Sequence, residues 1–141
     1  MTETRTVVLD NEAVQALLDP DHRKHRRALS VVEAVAARAK VRSGAVRLVV
    51  PTAVRVEAGW NRRSPKAAAI NRLRAHDANL DTESADSAAA IRSKLAVSVV
   101  DAHLASVLAA TAGPHAVMTS DPDDMRRIVK HLRLTVNVVI I

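Results

Sequence analysis

The sequence contains no cysteine, no phenylalanine and no tyrosine, and its 141 residues include one tryptophan and three glycines. The absence of cysteine excludes disulfide bonds and thiolate metal sites. Because Trp60 is the sole Phe, Trp or Tyr residue, the chain has no row of aromatic rings on which nucleic acid bases could stack. A hydrophobic content of 48% with so little glycine is not typical of disorder, and the sequence predicts a globular protein.

Long apolar runs are also missing, so no membrane-spanning segment is predicted and we expect no membrane partner. The first five residues, Met1–Arg5, lack the basic-then-apolar pattern of a secretory signal, and we expect a cytoplasmic protein. A length of 141 residues suits one domain, 1–141, that buries its own core.

Positive charge exceeds negative charge along the chain. Twenty-one Lys and Arg residues against 15 Asp and Glu residues give a formal net charge of +6. This excess favours an anionic partner, nucleic acid first, although an Ala- and Arg-rich chain also acquires such charge through base composition alone. The six histidines show no metal-ligand spacing and are interpreted as surface or core residues.

Short apolar runs alternate with helix-forming segments. Pro51 and Thr52 suit a helix start, although Val54 and Val56 also alternate as in a strand. The alternation predicts a mainly parallel sheet flanked by helices, a three-layer α/β domain. The predicted strands are 7–9, 46–50, 116–119 and 136–141, with a short extended piece at Leu80, and the predicted helices are 13–18, 22–42 with a stop at Gly44, 53–61, 64–76, 82–95, 102–112 and 125–132.

Four carboxylates occupy comparable places in this alternation. Asp10 ends the first strand, and Asp121 follows the strand at 116–119. Asp101 comes after an apolar run and precedes a buried helix, and Glu57 lies in the helix after the second strand. Because the carboxyl ends of parallel strands meet at one edge, where ligands bind in open α/β sheets, the four side chains are predicted to converge.

A cluster of oxygen ligands without His or Cys suits a hard cation, Mg²⁺ or Mn²⁺. Neighbouring carboxylates raise one another's pKa, so a cation is needed to keep such a cluster ionised. The neighbours of Glu57 suggest that it is buried, and a buried acid needs a partner.

Helix capping is the competing interpretation. Asp10, Asp101 and Asp121 all stand at predicted helix starts, where an Asp cap is stabilising by about 1 kcal/mol. Glu57 cannot cap a helix that begins at Thr52. Capping is the better explanation of each of the three taken singly, but Glu57 decides in favour of a metal-binding cluster.

The segments that carry these acids resemble the acidic motifs of PIN-domain proteins, most closely the small VapC-type ribonuclease toxins of toxin–antitoxin pairs. The resemblance covers nearly the whole chain. It implies a Rossmann-like PIN fold, Mg²⁺- or Mn²⁺-dependent endonucleolytic cleavage of RNA, an antitoxin partner and a homodimer. It also implies that Asp10, Glu57, Asp101 and Asp121 are the catalytic, metal-binding quartet. The resembling segments are Val7–Asp10, Pro51–Glu57, Val99–Ala105 and Met118–Asp124.

Residues beside the quartet have supporting interpretations. Asp124 is a candidate supplementary metal ligand. Thr119 and Ser120 either orient the carboxylates through hydrogen bonds or serve the turn. Glu12 departs from the family pattern and is interpreted as a first-turn helix residue in preference to an extra ligand.

Four basic residues flank Glu57 in sequence and either contact RNA phosphates or form a solvated surface. Trp60 is interpreted as a core or interface residue. We expect the antitoxin to bind beside the helix 22–42 and a second copy to pack on the helices 64–95. A catalytically silent PIN-like protein that binds RNA or an antitoxin is the alternative. The four candidate RNA-binding residues are Arg55, Arg62, Arg63 and Lys66.

Overall fold

The computed structural model describes residues 5–41 and 46–141, and of residues 38–41 it describes the backbone alone. The predicted helix end at Arg42 and the stop at Gly44 lie outside the described residues. Within them, five strands form one parallel sheet in the order β3-β2-β1-β4-β5. The strands are β1 Thr6–Leu9, β2 Arg47–Pro51, β3 His76–Ala78, β4 His115–Thr119 and β5 Val136–Ile140.

Helices cover both faces of this sheet. Successive residues of a strand point to opposite faces, so Val7 and Leu9 join one apolar core while Val8 joins the other. The predicted three-layer α/β architecture is therefore confirmed. The helices are α1 Asn11–Leu18, α2 His25–Val41, α3 Thr52–Ala58, α4 Ala68–Asn71, α5 Thr82–Lys94, α6 Val99–Ala110 and α7 Pro122–Leu132, and a 3₁₀ turn spans Pro65–Ala67.

Three strands lead almost directly into helices at the carboxyl edge of the sheet. Asp10 connects β1 to α1, Pro51 connects β2 to α3, and Ser120 and Asp121 connect β4 to α7. The helical prediction for α3 is confirmed, and Gly59 ends this helix with a φ of 74°, a left-handed conformation that glycine adopts without strain. The sheet thus brings three sequence-distant turns to one edge.

The predicted helix 64–76 is wrong. Only α4 and the preceding 3₁₀ turn form there, and the chain then enters β3, which pairs with β2. Asn71 ends α4, and its side chain accepts a hydrogen bond from Trp60 Nε1 at 3.0 Å and donates one to the Arg62 carbonyl at 2.8 Å. Arg74 then adopts a φ of 55°, which no helix can continue. These tertiary contacts override the local helix propensity.

The predicted start of α6 is also wrong. Ser98 accepts a hydrogen bond from the Asp101 backbone N–H at 3.0 Å, so the helix begins at Val99 instead of Ala102. Asp101 therefore lies in the first turn and is not the cap. At the other long helix, α2 begins at His25 and not at the predicted His22.

No single helix in residues 5–41 and 46–141 is long and apolar enough to cross a membrane, although α5 and α6 together, bent by 114°, reach that length and composition.

Candidate active site

Asp10 is the buried centre of the carboxyl edge. One carboxylate oxygen accepts a hydrogen bond from the Asn11 backbone N–H at 2.7 Å, and the other accepts one from Thr119 Oγ1 at 2.8 Å. Burial raises the pKa of Asp10, these two hydrogen bonds lower it, and the negative charges of Asp121 and Asp124 raise it. Asp10 does cap α1, but capping uses one oxygen and leaves the interaction with Thr119 to be explained.

Asp101 approaches Asp10 from the first turn of α6. The pKa of Asp101 is raised to about 6, most by burial and then by the negative charges of Asp10 and Asp124. A hydrogen bond from Ser98 lowers this pKa, and Glu57 adds a smaller upward contribution. The structure therefore brings three carboxylates close enough for their charges to repel, with a fourth nearby.

Glu57 is exposed to solvent, so its predicted burial is wrong. The helix α3 ends one residue later, at Ala58, and the preceding Val56 is 83% exposed, which shows that this part of the helix is uncovered. The carboxylate still acts on the pKa of Asp101 and so lies at the outer margin of the acidic edge.

Asp121 is also exposed and caps α7, where its carboxylate accepts a hydrogen bond from the Asp124 backbone N–H at 3.2 Å. Its capping interpretation is confirmed. Asp124 forms an ion pair with Arg127 at 3.0 Å. The negative charges of both Asp121 and Asp124 nevertheless reach Asp10, so the turn after β4 contributes two carboxylates to this edge.

Thr119 links two of the acids. Its buried hydroxyl donates to Asp10 and accepts a hydrogen bond from the Asp121 backbone N–H at 2.9 Å. Ser120 is exposed, and its side chain makes no hydrogen bond to any residue that the structure describes. Thr119 therefore orients the carboxylate of Asp10, whereas Ser120 lies in the turn.

Glu12 points towards the start of α2. Its carboxylate lies 3.3 Å from His22 Nε2 and 3.8 Å from Lys24 Nζ. Glu12 is in the first turn of α1, two residues after Asp10. A basic part of the chain thus lies directly beside the acidic edge.

The acids at this edge suit a divalent cation by their chemistry. The donors are all carboxylates, and within the described residues no basic side chain forms an ion pair with Asp10 or Asp101. No three acidic or histidine side chains in ranges 5–41 and 46–141 are gathered closely enough to form a ready-made metal site. The donor set therefore fits Mg²⁺ or Mn²⁺, while the side chains do not form a closed cage.

The basic residues near Glu57 fall into two groups. Arg55 and Arg62 both bind the carboxylate of Asp77, at 2.7 and 2.8 Å, and their guanidinium groups lie 5.4 and 4.3 Å from the centre of the Trp60 ring. Trp60 is 2% exposed, in agreement with its interpretation as a core residue. The second group, Arg63 and Lys66, is exposed.

His103, the histidine nearest the acidic edge in sequence, is a core residue, as one of the two interpretations of the histidines predicts. It is fully buried in α6, and burial lowers its pKa, which keeps the ring neutral. Its Nδ1 accepts a hydrogen bond from the Ala53 backbone N–H at 3.4 Å, near the start of the helix that carries Glu57. Its position two residues after Asp101 indicates that it lies near the acidic edge. Its contact with α3 is visible only in the folded structure.

Comparison with protein-family models and with curated proteins finds no match. Among solved structures, a chain of the crystal structure of VapBC2 from Rickettsia felis bound to a DNA fragment from their promoter is similar to this chain. The similarity covers 94% of this chain and 98% of that chain, with a TM-score of 0.56 and 11% sequence identity. The likeness shows the fold, a three-layer α/β domain with a central parallel sheet.

Proposed function

We propose that this protein is an Mg²⁺- or Mn²⁺-dependent endoribonuclease, the toxin of a cytoplasmic toxin–antitoxin pair, and that it cleaves RNA at the acidic edge. The acidic edge comprises Asp10, Glu57, Asp101, Asp121 and Asp124. The observation that carries the proposal is the partly buried pair of Asp10 and Asp101, whose charges repel without a basic partner among the described residues.

This pair lowers the stability of the folded protein. Each carboxylate loses hydration on burial, and each raises the free energy of ionising its neighbour. An N-cap role requires a single carboxylate, and Asp101 is not a cap. Neighbouring carboxylates whose pKa values are both raised are typical of functional sites.

The residues of the acidic edge have distinct roles in this proposal. A bound divalent cation would lower the pKa of the attacking water and stabilise negative charge on the phosphate. Thr119 and the Asn11 backbone hold the carboxylate of Asp10 in a fixed orientation. Asp101 must release its proton before it can ligate a cation, so the affinity for the cation is expected to fall as the pH drops through about 6.

The toxin assignment rests on the order of the acidic motifs and on the fold shared with a chain of the VapBC2 structure. Val31 and Val35, half-buried on α2, line a cavity of about 180 Å³ together with Val139 of β5. We place the antitoxin along this face of α2. We also propose a homodimer. Leu80, which is 41% exposed, lies within the range 64–95 on which a second copy is expected to pack.

The direct test is the cation dependence of RNA cleavage. Purified protein is incubated with end-labelled RNA in Mg²⁺, in Mn²⁺ and in chelator, with DNA of the same sequence as a control. The proposal predicts cleavage of RNA with either cation and none in chelator. Cleavage of equal extent in chelator would overturn it.

One observation favours the second candidate, a catalytically silent PIN-like protein that binds RNA or an antitoxin. Within the described residues the acids are not already gathered into a metal site. The silent protein would leave RNA intact with every cation and retain it in chelator. Co-expression with the product of the adjacent gene tests the pairing separately: relief of toxicity together with a complex on a sizing column is expected, and failure of both contradicts it.

A further inference from the structure

Six consecutive basic residues, His22–Arg27, form what we call the basic segment. It contains three arginines and one lysine and leads into the first turn of α2, which has no acidic residue. Cations at this end of a helix also face the positive end of the helix dipole, so the folded protein concentrates positive charge here at a cost in stability. The proposed cleavage chemistry leaves the segment without a role.

The fold places the basic segment at the acidic edge. His22 and Lys24 contact Glu12, which is two residues after Asp10. On the other side, Arg27 Nε donates a hydrogen bond to the Ile140 carbonyl at 2.8 Å, and Ile140 is paired with Thr119 across β5 and β4. The segment therefore lies beside the two residues at the centre of the edge, Asp10 and Thr119.

Two cations of this segment are available to a ligand. Arg23 and Arg26 are exposed, and neither side chain forms an ion pair or hydrogen bond with a residue that the structure describes. Arg55 and Arg62, which flank Glu57, are instead engaged by Asp77 and by the Trp60 ring. Among the cations that the structure describes, Arg63 and Lys66 are also exposed but flank Glu57 at the outer margin, whereas Arg23 and Arg26 belong to the segment that lies beside Asp10 and Thr119.

An RNA strand needs positive charge near the site because the carboxylates of the acidic edge repel its phosphates. Trp60 is buried, so base stacking on an aromatic side chain does not supply the attraction, and phosphate contacts must do so. Building on the proposed ribonuclease function, we infer that Arg23 and Arg26 grip the phosphates of a single-stranded RNA on the α2 side of the cleavage point. Lys24 and Arg27, which are held by Glu12 and Ile140, fix the segment in place.

The experiment measures RNA affinity as a function of salt. A fluorescent single-stranded RNA of mixed sequence is titrated in chelator, which prevents cleavage, with KCl from about 50 to 200 mM. The test variant is Arg23→Gln/Arg26→Gln. The matched control, Arg47→Gln/Lys130→Gln, removes the same charge from exposed positions at the start of β2 and the last turn of α7, towards the opposite edge of the sheet.

Each lost phosphate contact on a single strand reduces the salt slope by about 0.7. The test variant is therefore expected to show a slope about 1.4 shallower than the parent and an affinity roughly 25-fold weaker near 0.1 M salt. The control variant should retain the parental slope. A parental slope in the test variant would overturn the inference and leave the segment to a protein partner.

A third variant, Arg63→Gln/Lys66→Gln, tests the opposite side of the site. A shallower slope in this third variant, with the parental slope in the test variant, would place the phosphate contacts beside α3 and overturn the inference. Cleavage of RNA by the parent in Mn²⁺ is measured in parallel. If the parent cleaves RNA but the test variant retains the parental salt slope, the inference alone is wrong. If the parent neither cleaves nor binds RNA, the proposed function is wrong as well.

Discussion

Two polar clusters near α3 handle charge in opposite ways. In the Trp60 cluster, defined by Arg55, Trp60, Arg62 and Asp77, two guanidinium groups share one carboxylate and lie against one indole ring. In the acidic edge, burial and then the negative charge of Asp10 raise the pKa of Asp101, and no described basic side chain forms an ion pair with either residue.

The difference separates stabilising groups from functional ones. In the Trp60 cluster each charge has an opposite partner and the ring is buried, so removing any member lowers the stability of the fold. In the acidic edge, burial and repulsion already lower stability, and removing the carboxylate of Asp101, which is not a helix cap, relieves both. Substitutions in the acidic edge are therefore expected to abolish function without destabilising the protein. Substitutions in the Trp60 cluster are expected to destabilise the protein without abolishing function.

The largest effect is expected from Asp10→Asn or Asp101→Asn. Loss of a cation ligand removes several kcal/mol of transition-state stabilisation, which corresponds to a reduction in RNA cleavage of about 10³-fold or more. Initial rates in saturating Mn²⁺ measure this loss, with circular dichroism as the check on folding. Asp123→Asn, whose side chain is 93% exposed, is the matched control and should cleave at the parental rate. Parental rates for both site variants would contradict the acidic-edge assignment.

Trp60→Ala probes the other cluster. Truncation of a buried tryptophan is expected to lower the free energy of unfolding by about 3–5 kcal/mol. Urea denaturation measures this change, and the cleavage rate of the molecules that remain folded should stay within a fewfold of the parent. A stability loss well under 1 kcal/mol would show that the cluster is not a structural unit.

Stability should also depend on the ionisation of Asp101. The folded protein raises the pKa of this group from 3.8 to about 6, so folding disfavours its charged form. The free energy of unfolding in chelator is therefore expected to fall as the pH rises from about 4 to about 6, by on the order of 2 kcal/mol once solvent screening is allowed for.

Asp101→Asn removes this titration. The stability advantage of the variant over the parent should be small near pH 4, grow through the same window and stay constant above it. Urea denaturation at a series of pH values measures the difference. An advantage that is independent of pH would contradict the raised pKa of Asp101, to which burial contributes most and the charge of Asp10 next.

The smallest effect is expected from Thr119→Val. This change keeps the side-chain shape and removes the hydrogen bond that holds Asp10, so cleavage should fall about tenfold, at the low end of the range for residues that orient metal ligands. Ser120→Ala, one residue away and exposed, should leave the rate unchanged. Equal effects of the two substitutions would show that Thr119 serves only the turn.

Much of the architecture is readable from the sequence because buried parallel strands appear as short β-branched runs. The strand β3 cannot be predicted from the sequence, since His76–Ala78 is short and polar and forms a strand through its pairing with β2. Asp10 and Asp121 are also predictable because each comes just after a strand, whereas Asp101 follows no strand and reaches the edge from the first turn of α6. The exposure of Glu57 cannot be predicted in this way, because it depends on which residues cover the end of α3.

The Trp60 cluster escapes sequence reasoning for a related reason. Asp77 is separated from Arg55 and Arg62 by 22 and 15 residues, and no local periodicity connects them. The basic segment was visible as a charge run, but its place beside Asp10 follows from the packing of α2 against α1.

The central claim is that the acidic edge binds a divalent cation through Asp10 and Asp101. Its most direct test is the melting temperature of the parent, Asp10→Asn, Asp101→Asn and Asp123→Asn as Mn²⁺ is added, since a ligand that binds only the folded state stabilises it. We predict a rise in melting temperature with Mn²⁺ for the parent and Asp123→Asn and none for the other two variants. An equal rise in all four proteins, or no rise in the parent, would contradict the claim.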